Sequence, residues 1–219
     1  MEHTLAAHLH RPLLRGWAHA VSFPVWVLFG AGLVAWARVP PSGRLVLTVY
    51  VVGTAVMFGV SALYHRVRWQ PAAKALMQKL DRSAIFLAIA GGFTPLAWAS
   101  LDGGWRVAAL SLAWAGAVAG IVLHWIPRVP RAVKGGSYIV VSWAGVLVLP
   151  RVASVIGITG LVLILAGGVA YTVGAVCLAT RRPDPWPSVF GFHEVFHAFT
   201  VVASALQFVA IGYAVVPHL

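Results

Sequence analysis

Three histidines, an aspartate and a serine carry most of the chemistry this sequence offers. Ser61 and His65 stand four residues apart in an apolar run, and His193 and His197 repeat that spacing near the C-terminus; on a helix, residues four apart share one face. Asp81 lies between the two pairs, at the start of a further apolar run. Three neutral imidazoles with a fourth position left open are a donor set typical of catalytic Zn2+, whereas structural zinc sites close with four protein ligands. Asp81 then either ligates the metal or holds the water the metal activates. The plainer alternative is that a histidine near a helix end is satisfied by water or a carbonyl at the membrane interface. His3, His8, His10, His19 and His218 are read in that way, and His124 as a candidate to support a ligand from behind.

The elements that must position these residues are membrane spans. Of 219 residues, 60% are hydrophobic and 10% charged, with ten tryptophans, a makeup far from that of soluble domains. Apolar runs near 19–37, 44–65, 82–101, 105–126, 135–150, 154–179 and 193–216 have the length a bilayer-crossing helix needs. Turn chemistry separates them: Pro40-Pro41-Ser42-Gly43, Asp102-Gly103-Gly104, Pro127 to Pro130, and Arg181 to Pro187. The expectation is an all-α polytopic membrane protein of seven helices, a single domain over 19–216 between a cytoplasmic segment 1–18 and an external end at 217–219. The first run with its preceding Arg11 and Arg15 resembles a signal peptide, but it is long for one and carries Pro24; removing it would leave six helices and the histidine site.

The formal charge of +11 comes from sixteen Lys and Arg against five acids. In a soluble chain that excess would suggest nucleic acid; here the basic residues sit in short loops, where they set orientation. Counted on alternate sides, the loops carry 2, 5, 3 and 2 basic residues against 2, 1, 1 and 0, which puts the N-terminus in the cytoplasm and the C-terminus outside. His65, Asp81, His193 and His197 then share the cytoplasmic edge. Ionisable groups at membrane depth cost about 3 kcal/mol each on insertion scales, so a cluster of them points to function. The lone Cys177 excludes an intramolecular disulfide. Gly116 and Gly120 have the small-residue spacing of close helix packing, and Trp17, Trp69, Trp105 and Trp125 suit an interfacial belt.

His193-Glu194-Val195-Phe196-His197 also matches H-E-x-x-H, the metalloprotease pattern in which the glutamate is the general base. Intramembrane metalloproteases add an aspartate in a Leu-Asp-Gly context, and Leu101-Asp102-Gly103 is present. Topology argues against joining them, because Asp102 follows the third span and lies one membrane thickness, about 30 Å, from the start of the seventh. Asp102-Gly103 reads as a turn.

Taken together, Ser61-Ala-Leu-Tyr-His65, the stretch from Asp81 through Gly91-Gly92-Phe93-Thr94-Pro95, and His193-Glu-Val-Phe-His197 resemble, in order and over most of the chain, the hemolysin III branch of the progestin and adipoQ receptor family. That family stands within the superfamily that includes the alkaline ceramidases. The resemblance implies seven helices, a cytoplasmic N-terminus and an intramembrane zinc held by three histidines, matched here by His65, His193 and His197. Asp81 matches the family's aspartate and Ser61 its serine, both placed beside the zinc's water. One departure is Gln207, a mid-membrane position at which some relatives carry histidine.

The expected activity is zinc-dependent hydrolysis of a lipid amide or ester reached from the cytoplasmic leaflet of a bacterial plasma membrane, with a role in lipid homeostasis. Asp81 orients the water and accepts its proton, and Ser61 donates a hydrogen bond to the tetrahedral oxyanion. The partner is a membrane lipid and not nucleic acid. The rival from a different class is a non-enzymatic lipid sensor whose zinc staples the second, third and seventh helices, Asp81 closing the shell. A transporter ranks lower because no span carries a charge at its middle. The hemolysin label of the branch implies permeabilisation, yet no amphipathic pore-forming segment is present.

Overall fold

The structure is a computed structural model that describes residues 11–219, so His3, His8 and His10 lie outside the described residues. The described residues form no strand beyond one isolated bridge, between Trp186 and Phe190. The helices are α1 (Trp17–Trp36), α2 (Pro41–Arg66), α3 (Pro71–Ser100), α4 (Gly103–Trp125), α5 (Arg131–Trp143), α6 (Leu149–Thr180) and α7 (Phe192–Ala210). A 3-10 turn over Ala144–Val148 joins α5 to α6, and α7 continues through a π-helical turn, Ile211–Val215, into Val216–His218. Pro41 and Pro71 open α2 and α3 at their first position, where the missing N–H costs no hydrogen bond.

Six helical stretches among the described residues are long and apolar enough to cross a membrane, and one of them, Arg131–Thr180, runs for 50 residues. Straight, it would be about 75 Å long. It is folded instead: the Trp143 indole N–H donates to Thr172 Oγ1 at 3.1 Å although the two are 29 positions apart. The reversal falls at Gly157, whose φ of 65° and ψ of 179° are not helical, a conformation glycine reaches without a Cβ penalty. Sequence reading places this break at 151–153, near Arg151. That segment is helical, and Arg151 lies over the Trp105 ring, 4.3 Å from its centre.

α3 also differs from expectation. It begins at Pro71, not near 82, so Asp81 sits three turns inside a helix rather than at its mouth. The polar residues of 71–82 interrupt the apolar pattern over those turns.

Side-chain size sets the helix spacing. A Cβ on Gly53 would stand 2.7 Å from the Leu87 carbonyl oxygen, and one on Gly91 3.1 Å from that of Val49, so α2 and α3 cross backbone to backbone. Gly120 of α4 lies flat against the Phe86 ring, while Gly116 faces Val141 of α5. The core between α1, α2, α3 and α7 holds Trp26, Leu47, Tyr50, Met57, Phe58 and Ile211. Outward, Leu28, Phe29, Val140, Leu147 and Ile158 are all exposed, an apolar surface that suits lipid as solvent. The chain is an integral membrane protein.

Tryptophans and cations mark both ends of the bundle. At one end Arg66 lies over Trp17 (4.3 Å) and Lys79 over Trp125 (5.0 Å); at the other, Arg106 lies over Trp98 (4.7 Å) beside the Arg151–Trp105 pair. Gly16 packs on His65 at the first end, and Leu219 packs on Gly43 at the second.

Candidate metal centre

His65 closes the last turn of α2, and His193 and His197 open α7, where the two helix ends meet. His65 and His197 are buried and His193 half-buried, and one ring nitrogen from each falls within 4.8 Å of the others. His193 Nε2 and His65 Nε2 are 3.2 Å apart. Two nitrogens bound at about 2.0–2.1 Å to one tetrahedral Zn2+ would stand about 3.3 Å apart, so the pair is spaced as ligands of a single ion. The ring centroids lie 4.7 Å (His65–His193), 5.0 Å (His65–His197) and 4.7 Å (His193–His197) from one another, with planes inclined by 64–68°, so no two of the rings stack.

Asp81 does not belong to this group of donors. Ser61, buried one turn deeper than His65 on the same face of α2, lies near Asp81 across the α2–α3 interface. Ser61 thus stands about one helical turn, or 5–6 Å, from His65 along α2.

Glu194, the residue of H-E-x-x-H that a protease would use as its base, is engaged elsewhere. It is only 2% exposed, forms an ion pair with Arg15 and accepts the Gly191 backbone N–H at 2.9 Å, capping α7. The chain before α1 is fixed to the same region, since the Leu13 and Leu14 amides donate to Ser188 and Val189 carbonyls, each at 3.0 Å. Residues 11–16 and 184–191 together form a strap over the histidine end of the bundle. Asp102, following α3, is 21 residues from Asp81, about 31 Å along a helix, and has no place near the triad.

A sequence profile of the family described as Haemolysin-III related matches residues 7–208. This chain belongs to that family. Among its Haemolysin-III-related relatives, Hemolysin-3 of Bacillus cereus is 31% identical over 180 residues, 80% of this chain and 78% of that protein. The Hemolysin-3 homolog of Bacillus subtilis (strain 168) is 29% identical over 164 residues, 74% and 73% of the two chains. The matched segment contains all of His65, Asp81, His193 and His197.

Two residues of this Haemolysin-III-related chain depart from the sequence reading. His19 is no interfacial residue: it is 3% exposed and its ring stacks on that of His197, centroids 3.9 Å apart and planes 10° from parallel. The signal was available, since the same orientation count that aligned the triad also puts position 19 at that depth. His124 lies away from the triad, buried among Phe86 and Tyr138 with Nδ1 2.9 Å from the Gly120 carbonyl. Gln207 reaches Gly92 of α3 and Gly167 of α6, about 15 Å along α7 from His197. His218 is exposed, as expected.

Proposed function

We propose that this protein is a zinc-dependent hydrolase of a membrane-lipid amide or ester, its site lying near the cytoplasmic leaflet of the bacterial plasma membrane. The observation that carries the reading is the triad itself: three imidazoles at ligand spacing, with the Asp81 carboxylate outside the set. A set of three nitrogens leaves a coordination position for water or substrate, and a closed structural site would need a fourth protein donor.

When bound, zinc supplies Lewis acidity, activating water near neutral pH and polarising the carbonyl. His65, His193 and His197 hold it. Asp81 orients the attacking water and takes its proton, and Ser61 donates a hydrogen bond to the tetrahedral oxyanion. The carbonyl carbon gains a bond to the water oxygen, the C–N or C–O bond breaks, and Asp81 returns the proton to the leaving amine or alkoxide.

The same reading takes the bundle as seven crossings, 131–156 and 158–180 being separate spans, with the N-terminal side in the cytoplasm as the basic loops indicate. Two cavities, of about 590 and 270 Å3, open on the surface, and neither is lined by a triad residue. In a sensor with structural zinc, Asp81 would be the fourth ligand, and its separation from the triad speaks against that arrangement.

The deciding measurement is metal content by mass spectrometry of untagged wild type and His65→Ala, followed by hydrolysis assays on lipid amides and esters. About one zinc per chain in the wild type, little in the variant, and zinc-dependent turnover are expected. Absence of metal from the wild type overturns the hydrolase. Bound zinc without turnover on any amide or ester would leave the sensor.

A further inference from the structure

The start of α1 and the two residues before it supply a third wall to the metal centre, each contact made by a different residue. Arg15 pairs with Glu194, between the two ligands of α7. Gly16, with φ of 79°, comes so close to α2 that a Cβ there would lie 2.5 Å from His65 Cβ. One turn on, His19 lies face to face with His197 and edge to face with Phe58, at 5.1 Å and 68°.

Both ring nitrogens of His19 are buried without a hydrogen-bond partner, and so is Nδ1 of His197. Leaving a buried polar group unpaired costs about 1–3 kcal/mol. As a core filler, then, His19 is a poor choice: phenylalanine would give the same stack without the two nitrogens. A ligand imidazole uses one nitrogen for the metal and presents the other as an N–H donor to a carboxylate, carbonyl or water. With Nε2 of His197 taken as the metal's nitrogen, as Nε2 is what His65 and His193 turn to each other, Nδ1 is the one left without a partner, and the His19 ring is stacked on the same imidazole.

We propose that His19 is a positioning residue of the metal centre, accepting the Nδ1–H of His197 through a single buried water. The link is not direct, because a ring N–H lies in the plane of its ring, and two rings 3.9 Å apart and nearly parallel do not point their nitrogens at each other. For the same reason His19 is not a fourth ligand to an ion held by His197. A water at the common edge of the stack reaches a nitrogen on each ring, and sites of that kind hold water when two or more polar partners converge. Bonded in this way, His197 keeps its tautomer and ring plane when the metal leaves.

The inference rests on the triad being a metal site, and its test separates the two. Zinc affinity by chelator competition, and the visible spectrum of the Co2+-loaded protein, are measured for wild type, His19→Phe and His19→Gln in detergent, with melting temperature as a check on folding. His19→Phe keeps the stack and loses the nitrogens. It is expected to bind zinc about ten- to a hundredfold more weakly with an altered Co2+ spectrum, and His19→Gln, which retains an acceptor, to recover most of the loss. Wild-type affinity and spectrum in His19→Phe overturn the inference while leaving the triad intact, as does a His19→Gln no better than His19→Phe. A wild type that binds no metal overturns both.

Discussion

Asp81 and Glu194 are two of the carboxylates at the histidine end of the bundle, beside Asp184, which accepts the Phe192 amide at 2.9 Å, and their surroundings assign the first two opposite work. Glu194 is buried against Arg15 and the Gly191 amide, with its lone pairs committed to holding the strap. Asp81 has Ser61 and Arg82 as neighbours but forms no ion pair among the described residues, which leaves it able to exchange a proton. Asp81→Asn is therefore expected to retain zinc and lose turnover by at least about a hundredfold, the range of general-base contributions; turnover within a few-fold of wild type would remove Asp81 from the mechanism. Glu194→Gln is expected to lower the melting temperature, because the Arg15 guanidinium is left without its counter-charge, while any turnover per bound zinc stays within about threefold. Loss of turnover with full zinc and unchanged stability would instead return Glu194 to the role of base.

Among the elements, the junction of α1 with α2 is the most sensitive to a single atom. Gly16 combines left-handed backbone with contact against a ligand helix. Gly103 also has positive φ, 46°, but nothing within 4 Å of a Cβ placed there. Both alanine variants carry the left-handed penalty of roughly 1–2 kcal/mol. Only Gly16→Ala also pushes on His65, so zinc affinity is expected to fall in that variant and to stay at the wild-type value in Gly103→Ala. Equal affinities would show that α1 touches the site without shaping it. In the same way Gly53→Ala is expected to destabilise the fold by about 1–3 kcal/mol, since the obstacle it meets is the Leu87 carbonyl of a packed helix and not a movable side chain.

At the scale of the whole molecule, the question is which end of the bundle faces the cytoplasm. Cys177 is the only cysteine and is buried, so single cysteines placed in a Cys177→Ser background report position cleanly. A cysteine at Ser188, on the strap, is expected to react with a membrane-impermeant thiol reagent only after cells are opened, and one at Gly104 to react on intact cells. The reverse pattern would invert the orientation and put the triad at the outer leaflet.

Much of this arrangement is legible in the residues alone. The composition and the lengths of the apolar runs determine an all-helical membrane protein, because a bilayer admits few other ways to satisfy the backbone. The four-residue spacing of Ser61 and His65, and of His193 and His197, determines that each pair shares a helix face, and the basic loops align those faces at one depth. Other features depend on contacts between residues distant in sequence. The stacking of His19 on His197, the pairing of Glu194 with Arg15 179 positions away, and the nearness of Ser61 to Asp81 arise only when α1, α2, α3 and α7 pack together. The reversal at Gly157 is likewise a tertiary result: the residues around it are as apolar as the spans they join, and only the docking of Trp143 on Thr172 shows where the chain turns back.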